Sequence, residues 1–175
     1  MIREKSGCEY DPELTALQIP LKMILNKRYS SPIIRTANAL KAFRNQKKNL
    51  CRFDVIHVHL SNAVGLKYLR IARKYGVKSR IVHSHSTGIG AGITKHIKLL
   101  SHLICKNIYG YEPTQYLACS SLAAKWLFPQ KIYENSQYTV AFNGIDIKRF
   151  RYNEAVRCEY RKRLNIENKY EILKS

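Results

Sequence analysis

Phe53-Asp54-Val55-Ile56-His57-Val58-His59-Leu60 and Lys78-Ser79-Arg80-Ile81-Val82-His83-Ser84-His85 are two short apolar runs, each carrying a His-x-His pair. Side chains on a strand alternate between faces, so His57 and His59 share a face, and so do His83 and His85. If the runs are neighbouring parallel strands, four imidazoles gather near one sheet edge. The intervening segment has helical spacing. Asn62 is placed to cap a helix carrying Leu66, Leu69, Ile71 and Ala72, and Gly76 is placed to stop it.

Working outward, the same alternation continues. Ser31 and Pro32 read as a cap and first helical position, with Ile33, Ala37, Leu40 and Phe43 at helical spacing and Asn45 to Asn49 as a polar exit. Phe53 to Leu60 is predicted as a buried strand and Lys78 to His83 as the next. Thr87 to Gly92 is a flexible loop. Ile93 to Tyr109 returns to helix, and Gly110 to Pro113 breaks it. Tyr116 to Cys119 is a short strand, followed by a helix with Ser120 or Ser121 as cap and Pro129 as its end. Tyr138 to Phe142 is a further short strand, Asn143-Gly144 is a turn signal, and Asn153 to Leu164 reads as an exposed charged helix. Strand and helix in strict alternation predict parallel strands with crossover helices, an open α/β sheet. Ligands in such sheets sit beyond the carboxyl ends of the strands. His59, His85, Ser120 and Asn143 all fall there.

The chain has 175 residues, 45% of them hydrophobic, enough for one domain with a core of its own. No stretch has the roughly 18 to 20 apolar residues of a membrane span. The first eleven residues lack the apolar centre of a signal peptide. Five dispersed cysteines without a CxxC pair predict reduced thiols and a cytoplasmic location. Thirty-one Lys and Arg against twelve Asp and Glu give a net charge of +19. The partner implied is anionic: nucleic acid, an acidic lipid surface or phosphorylated small molecules.

Histidine can hold a phosphate, move a proton or bind a metal. A zinc site would take one His-x-His pair plus a carboxylate or another His. Acids are scarce near both pairs, so no metal is expected. His57 and His83, deeper in the runs, are read as structural. His59 and His85, at the ends, are placed to meet a ligand. Ser86 and Thr87 add hydroxyls beside the Gly88 to Gly92 loop, a combination suited to a phosphate or sugar. That loop is neither a GxGxxG fingerprint nor a P-loop. The stripe Ile93, Ile97, Leu100, Ile104 and Ile108 is read first as a helix face packed on the sheet. The alternative is an interfacial helix on anionic lipid. Asn143-Gly144-Ile145-Asp146 signals a tight turn, with Asp146 available as a cap.

In order and spacing, these features resemble the family 4 retaining glycosyltransferases of the GT-B fold, specifically the N-terminal, acceptor-side domain of bacterial capsule and exopolysaccharide enzymes. The segments that carry the resemblance are Phe53 to His59, Val82 to Thr87, Ala118-Cys119-Ser120-Ser121-Leu122-Ala123 and Val140 to Phe150. It covers about residues 30 to 165. The fold implied is an open Rossmann-like parallel sheet with flanking helices, part of the N-terminal half of a GT-B enzyme. The activity implied is sugar transfer from a nucleotide-sugar, as substrate and not cofactor, to a saccharide or lipid-linked acceptor in surface polysaccharide synthesis. His85 matches the histidine kept at the cleft near the donor sugar. His59, Ser86, Thr87 and Ser120 would line the substrate side, and Asn143 and Gly144 would shape the passage to a second domain. The resemblance further implies a cytoplasmic protein peripheral to the inner membrane face.

The family's opening strand and Gly-rich loop have no counterpart before residue 30, and its C-terminal domain, with a basic pair and a Glu-x7-Glu pattern, is not found. The expectation is therefore a fragment inactive alone. It comprises an unpatterned segment 1–29, an incomplete family domain 30–150, and a linker helix with the start of the next domain in 151–175. The rival is a basic nucleic-acid-binding module, for which no known RNA- or DNA-binding motif is found. A third possibility is a non-catalytic partner completing a split glycosyltransferase.

Overall fold

A computed structural model describes residues 2–3, 11–18, 22–23, 31–90, 92, 94–144, 147–148, 150–164 and 166. Contacts divide the chain into two units, 1–142 and 143–175. The first unit begins with strand β1 (Ile2–Arg3), helix α1 (Asp11–Ala16) and strand β2 (Lys22–Met23); β1 and β2 pair in parallel as a sheet of their own. The segment before residue 30 thus carries elements where the sequence showed no pattern.

Helices α2 (Pro32–Arg44) and α3 (Lys47–Leu50) follow. Ser31 caps α2 through its side chain and Pro32 takes the first position, as predicted. The polar exit predicted at 45–49 instead becomes the start of α3, which buries Leu50. Next come strand β3 (Val55–Leu60), a 3₁₀ turn (Ala63–Leu66) and helix α4 (Lys67–Lys74). Asn62 accepts a hydrogen bond from the Val64 amide at 3.1 Å and so starts the turn. Gly76, at φ +87°, ends the α4 segment in a conformation other residues rarely adopt.

The remaining elements of this unit are strand β4 (Ser79–Ser84), helix α5 (Lys95–Tyr109), strand β5 (Gln115–Ala118), helices α6 (Ser121–Leu127) and α7 (Gln130–Glu134), and strand β6 (Thr139–Val140). Gly110 follows α5 where a Cβ would collide with the Lys106 carbonyl and the Pro129 ring. The second unit contains helix α8 (Glu154–Arg163), whose cap Asn153 accepts from the Val156 amide. α8 buries none of its described residues, as its charge predicts.

The four main strands lie in the order β3-β4-β5-β6, all parallel. This order is monotonic, and βαβ crossovers share one hand. Strands added always in the same direction therefore place their crossover helices on the same face. Burial follows that rule. Val82 and Ala118 are fully buried with Leu66, Leu69, Ala123, Ala124, Leu127 and Phe128, and Ile56, Val58 and Leu60 pack against them. The opposite face of β3 carries exposed Val55, His57 and His59. The strand predicted as buried over 53–60 is therefore an edge strand with one face covered.

Helix α5 corrects a second expectation. The stripe assigned to the sheet points outward: Ile97, Leu100, Ile104 and Ile108 are 58%, 60%, 48% and 56% exposed, and Ile93 lies outside the described residues. The face turned inward carries His102 and Cys105. His102 Nδ1 accepts from the Ala63 amide at 3.0 Å, which fixes the proton on Nε2, and Nε2 donates to the Trp126 carbonyl at 3.1 Å. The two rings stack at 3.9 Å between centroids. Trp126 Nε1 in turn donates to the Ser61 carbonyl, and Lys106 Nζ donates to the Lys125 and Trp126 carbonyls. Burial and the nearby Lys106 charge push His102 below the ordinary imidazole value, against the pull of its bond to Trp126. Hydrogen bonding, not apolar patterning, sets the rotation of this helix.

Candidate functional site at the histidine-bearing sheet edge

The β3-β4 register sets His59 beside His83 and His57 beside Ile81. The ladder then runs one residue further: the His85 amide donates to the Leu60 carbonyl, and the Cys119 amide to the Ser84 carbonyl. All four histidines consequently stand on the uncovered face. Ring centroids are separated by 4.4 Å for His57–His59, 5.1 Å for His59–His83, 4.2 Å for His83–His85 and 5.0 Å for His59–His85. His59 Nδ1 and His85 Nε2 share a hydrogen bond of 2.7 Å.

Depth within the strand does not sort the four as predicted. His57 is exposed, because none of the crossover helices among the described residues covers the face it occupies, whereas His83 on the adjacent inner strand is only 9% exposed. Burial pushes His57, His59 and His83 below the ordinary imidazole value. Repulsion from neighbouring rings adds to it, and a backbone hydrogen bond to Ala141 pulls His83 partly back. These three rings are therefore neutral at pH 7. They offer one N–H donor and one lone pair each, not positive charge.

Ser86 and Thr87 follow His85 directly at the strand end, Thr87 exposed and Ser86 half-buried. Ser120 caps α6, its Oγ accepting from the Ala123 amide at 3.2 Å, so one of its lone pairs is committed to the fold. Ser84, one residue before His85, is fully buried and donates to the Ala123 carbonyl at 2.7 Å. That bond ties the end of β4 to the start of α6 and steadies the strand on which His83 and His85 ride. Asn143 and Gly144 belong to the second unit, are exposed, and form no turn; the turn residues there include Ile147 and Lys148. The expected cap Asp146 lies outside the described residues. The four described cysteines are free thiols.

A separate cavity of ≈ 520 Å³ opens within the helical layer, lined by Leu40, Arg44, Lys47, Lys67, Arg70, Ile71, Lys74, Tyr75 and Tyr109. None of the histidines lines it. Five cations face it, and Arg70 also pairs with buried Glu112 at 3.3 Å. Sequence reasoning missed this cluster, although Lys67, Arg70 and Lys74 recur at the helical spacing of α4.

A four-stranded parallel sheet with crossover helices defines a Rossmann-like α/β domain. The glycosyltransferase family 4 model matches residues 5–149, and the chain belongs to that family. The match reaches further towards the N-terminus than the motifs that suggested it. The fold accordingly is that of a Rossmann-like half of a GT-B glycosyltransferase. No curated protein and no solved structure matches the chain. No described helix is long and apolar enough to cross a membrane.

Proposed function

We propose that this chain is the acceptor-side portion of a retaining glycosyltransferase that moves a sugar from a nucleotide-sugar to a saccharide or lipid-linked acceptor in surface polysaccharide synthesis. The observation that carries this reading is the 2.7 Å His59–His85 hydrogen bond at the carboxyl edge of a family 4 sheet. A hydrogen-bonded imidazole pair holds its rings in one orientation. His85 then presents a ring to the donor sugar, where it orients a hydroxyl or answers charge developing at the anomeric carbon. His59 fixes His85. Ser86 and Thr87 supply hydroxyls for the acceptor, and Ser120 offers its remaining hydrogen-bonding capacity beside them. Asn143 and Gly144 are assigned to the passage towards the donor. The nucleotide-sugar is a substrate here, and no cofactor is invoked.

Transfer needs both substrates held in one geometry, which is worth several kcal/mol of the barrier. In this reading the donor-binding unit is supplied outside the 175 residues, and the chain alone does not turn over. Adding an acceptor saccharide to the ¹⁵N-labelled chain should move the ring resonances of His59 and His85. Unmoved rings alongside measurable saccharide binding elsewhere would place the acceptor at another surface. Sustained nucleotide-sugar turnover by the purified chain would overturn the claim of inactivity.

The same reading places the protein at the inner face of a membrane. Its support is the outward apolar stripe of α5, with Lys95 and Lys98 near the helix start, in a chain of charge +19. Flotation with vesicles containing acidic phospholipid should carry the protein upward, and neutral vesicles should not.

A further inference from the structure

We propose that His57, His59 and His83 form a site for a divalent transition metal of the zinc class, independent of the sugar-transfer reading. One ring nitrogen from each of the three lies within 4.8 Å of the others. Zinc bound tetrahedrally by imidazole needs nitrogens about 3.4 Å apart, from metal–nitrogen distances of about 2.0–2.1 Å. Rotation of the exposed His57 ring narrows that difference without moving the strands, while His59 keeps its bond to His85.

The second observation is the state of His83. Its ring is nine-tenths buried, and Nε2 has no hydrogen-bond partner. With Nε2 unpartnered, the tautomer that carries its proton on Nδ1 presents a bare lone pair on Nε2. A buried unpaired acceptor is costly, and a metal relieves it. His59 Nδ1 is engaged by His85, and in the tautomer in which Nδ1 donates that bond, Nε2 keeps its lone pair for a ligand bond. Ligand histidines characteristically engage their second nitrogen in this way, and that bond fixes the tautomer.

The sequence argued against a metal because no acid stands beside either pair. Three imidazoles need none. A His-x-His pair on one strand and a third histidine on its neighbour supply three donors on one face, and all-imidazole sets suit Zn, Cu and Ni more than Mg or Ca. Three protein ligands leave a fourth position open.

The test is zinc titration of the full chain, freed of metal by chelator, against a chromophoric competitor near neutral pH. Cobalt titration follows, read by visible absorption. We expect one saturable equivalent and an intense tetrahedral-type cobalt spectrum. His57→Gln should weaken binding about tenfold or more, and His57→Gln/His59→Gln should abolish it, with unchanged far-UV circular dichroism. Both substitutions are at exposed positions, so the test does not depend on His83 variants folding. Absence of saturable binding would overturn the proposal. So would one-equivalent binding that survives the double substitution, or binding lost on alkylation of the cysteines.

Discussion

Helices α4 and α5 follow successive strands of one sheet and obey opposite rules. α4 buries Leu69, Ile71 and Ala72 and turns Lys67, Arg70, Arg73 and Lys74 outward or into the basic cavity. α5 turns its isoleucines and leucines outward and buries a histidine and a cysteine. The first helix is held by apolar area, the second by bonds that His102 and Lys106 donate to carbonyls and by one that His102 accepts from the Ala63 amide. An apolar stripe thus identifies a helix without fixing which way it faces. A stripe that faces outward is a surface awaiting use.

The largest expected effect tests the α4 side of that contrast. Leu69 is fully buried, so Leu69→Ala should cost about 2–5 kcal/mol, read from the midpoint of urea unfolding. A loss under about 1 kcal/mol would mean the core tolerates or refills the cavity there. Next comes the polar anchor of α5. His102→Ala leaves the Ala63 amide and the Trp126 carbonyl short of a partner and should cost about 1–3 kcal/mol.

The same anchor gives a pH signature. The folded-state proton affinity of His102 lies below that of the unfolded chain, so the unfolded state binds more protons between the two values. Its contribution to stability is complete above about pH 6.5 and is lost as pH falls through that value towards the lower folded one. His57, His59 and His83 act in the same direction. His102→Gln should therefore flatten part of the acid limb of a stability-against-pH curve and leave the rest. An unchanged limb would assign it to the sheet-edge cluster alone.

The smallest effect on stability sharpens the comparison most. Ile97→Ser/Leu100→Ser changes two exposed side chains and should move the unfolding midpoint by no more than about 0.5 kcal/mol per site. Vesicle binding should fall about tenfold or more, since each lost apolar side chain removes roughly a kcal/mol of burial at the interface. A large stability loss with unchanged vesicle binding would reverse the assignment of that face.

What the sequence revealed is what local chemistry determines. Ser31 and Asn62 cap the elements they were expected to cap, and Ser120 is the cap where Ser120 or Ser121 was expected, because capping depends on residues three or fewer positions away. The parallel strands were legible from alternation. The exposure of His57 was not, because it depends on strand order: the monotonic β3-β4-β5-β6 sheet sends its crossover helices to the opposite face. The shared face of His59 and His85 was legible from period two and strand ends, and their hydrogen bond required the register. The basic cavity was not, since Arg44 and Lys47 meet the cations of α4 only through tertiary packing.

Trp126 is the chain's single tryptophan. It is stacked on His102 and bonded to the carbonyl of Ser61, just beyond β3. Its light emission is therefore a signal from one joint, where the β3 exit, α5 and α6 meet, and not an average over the molecule. Unseating α5 would break both the stacking and the Nε1 bond of that one indole, so the joint carries its own optical indicator of whether α5 is seated.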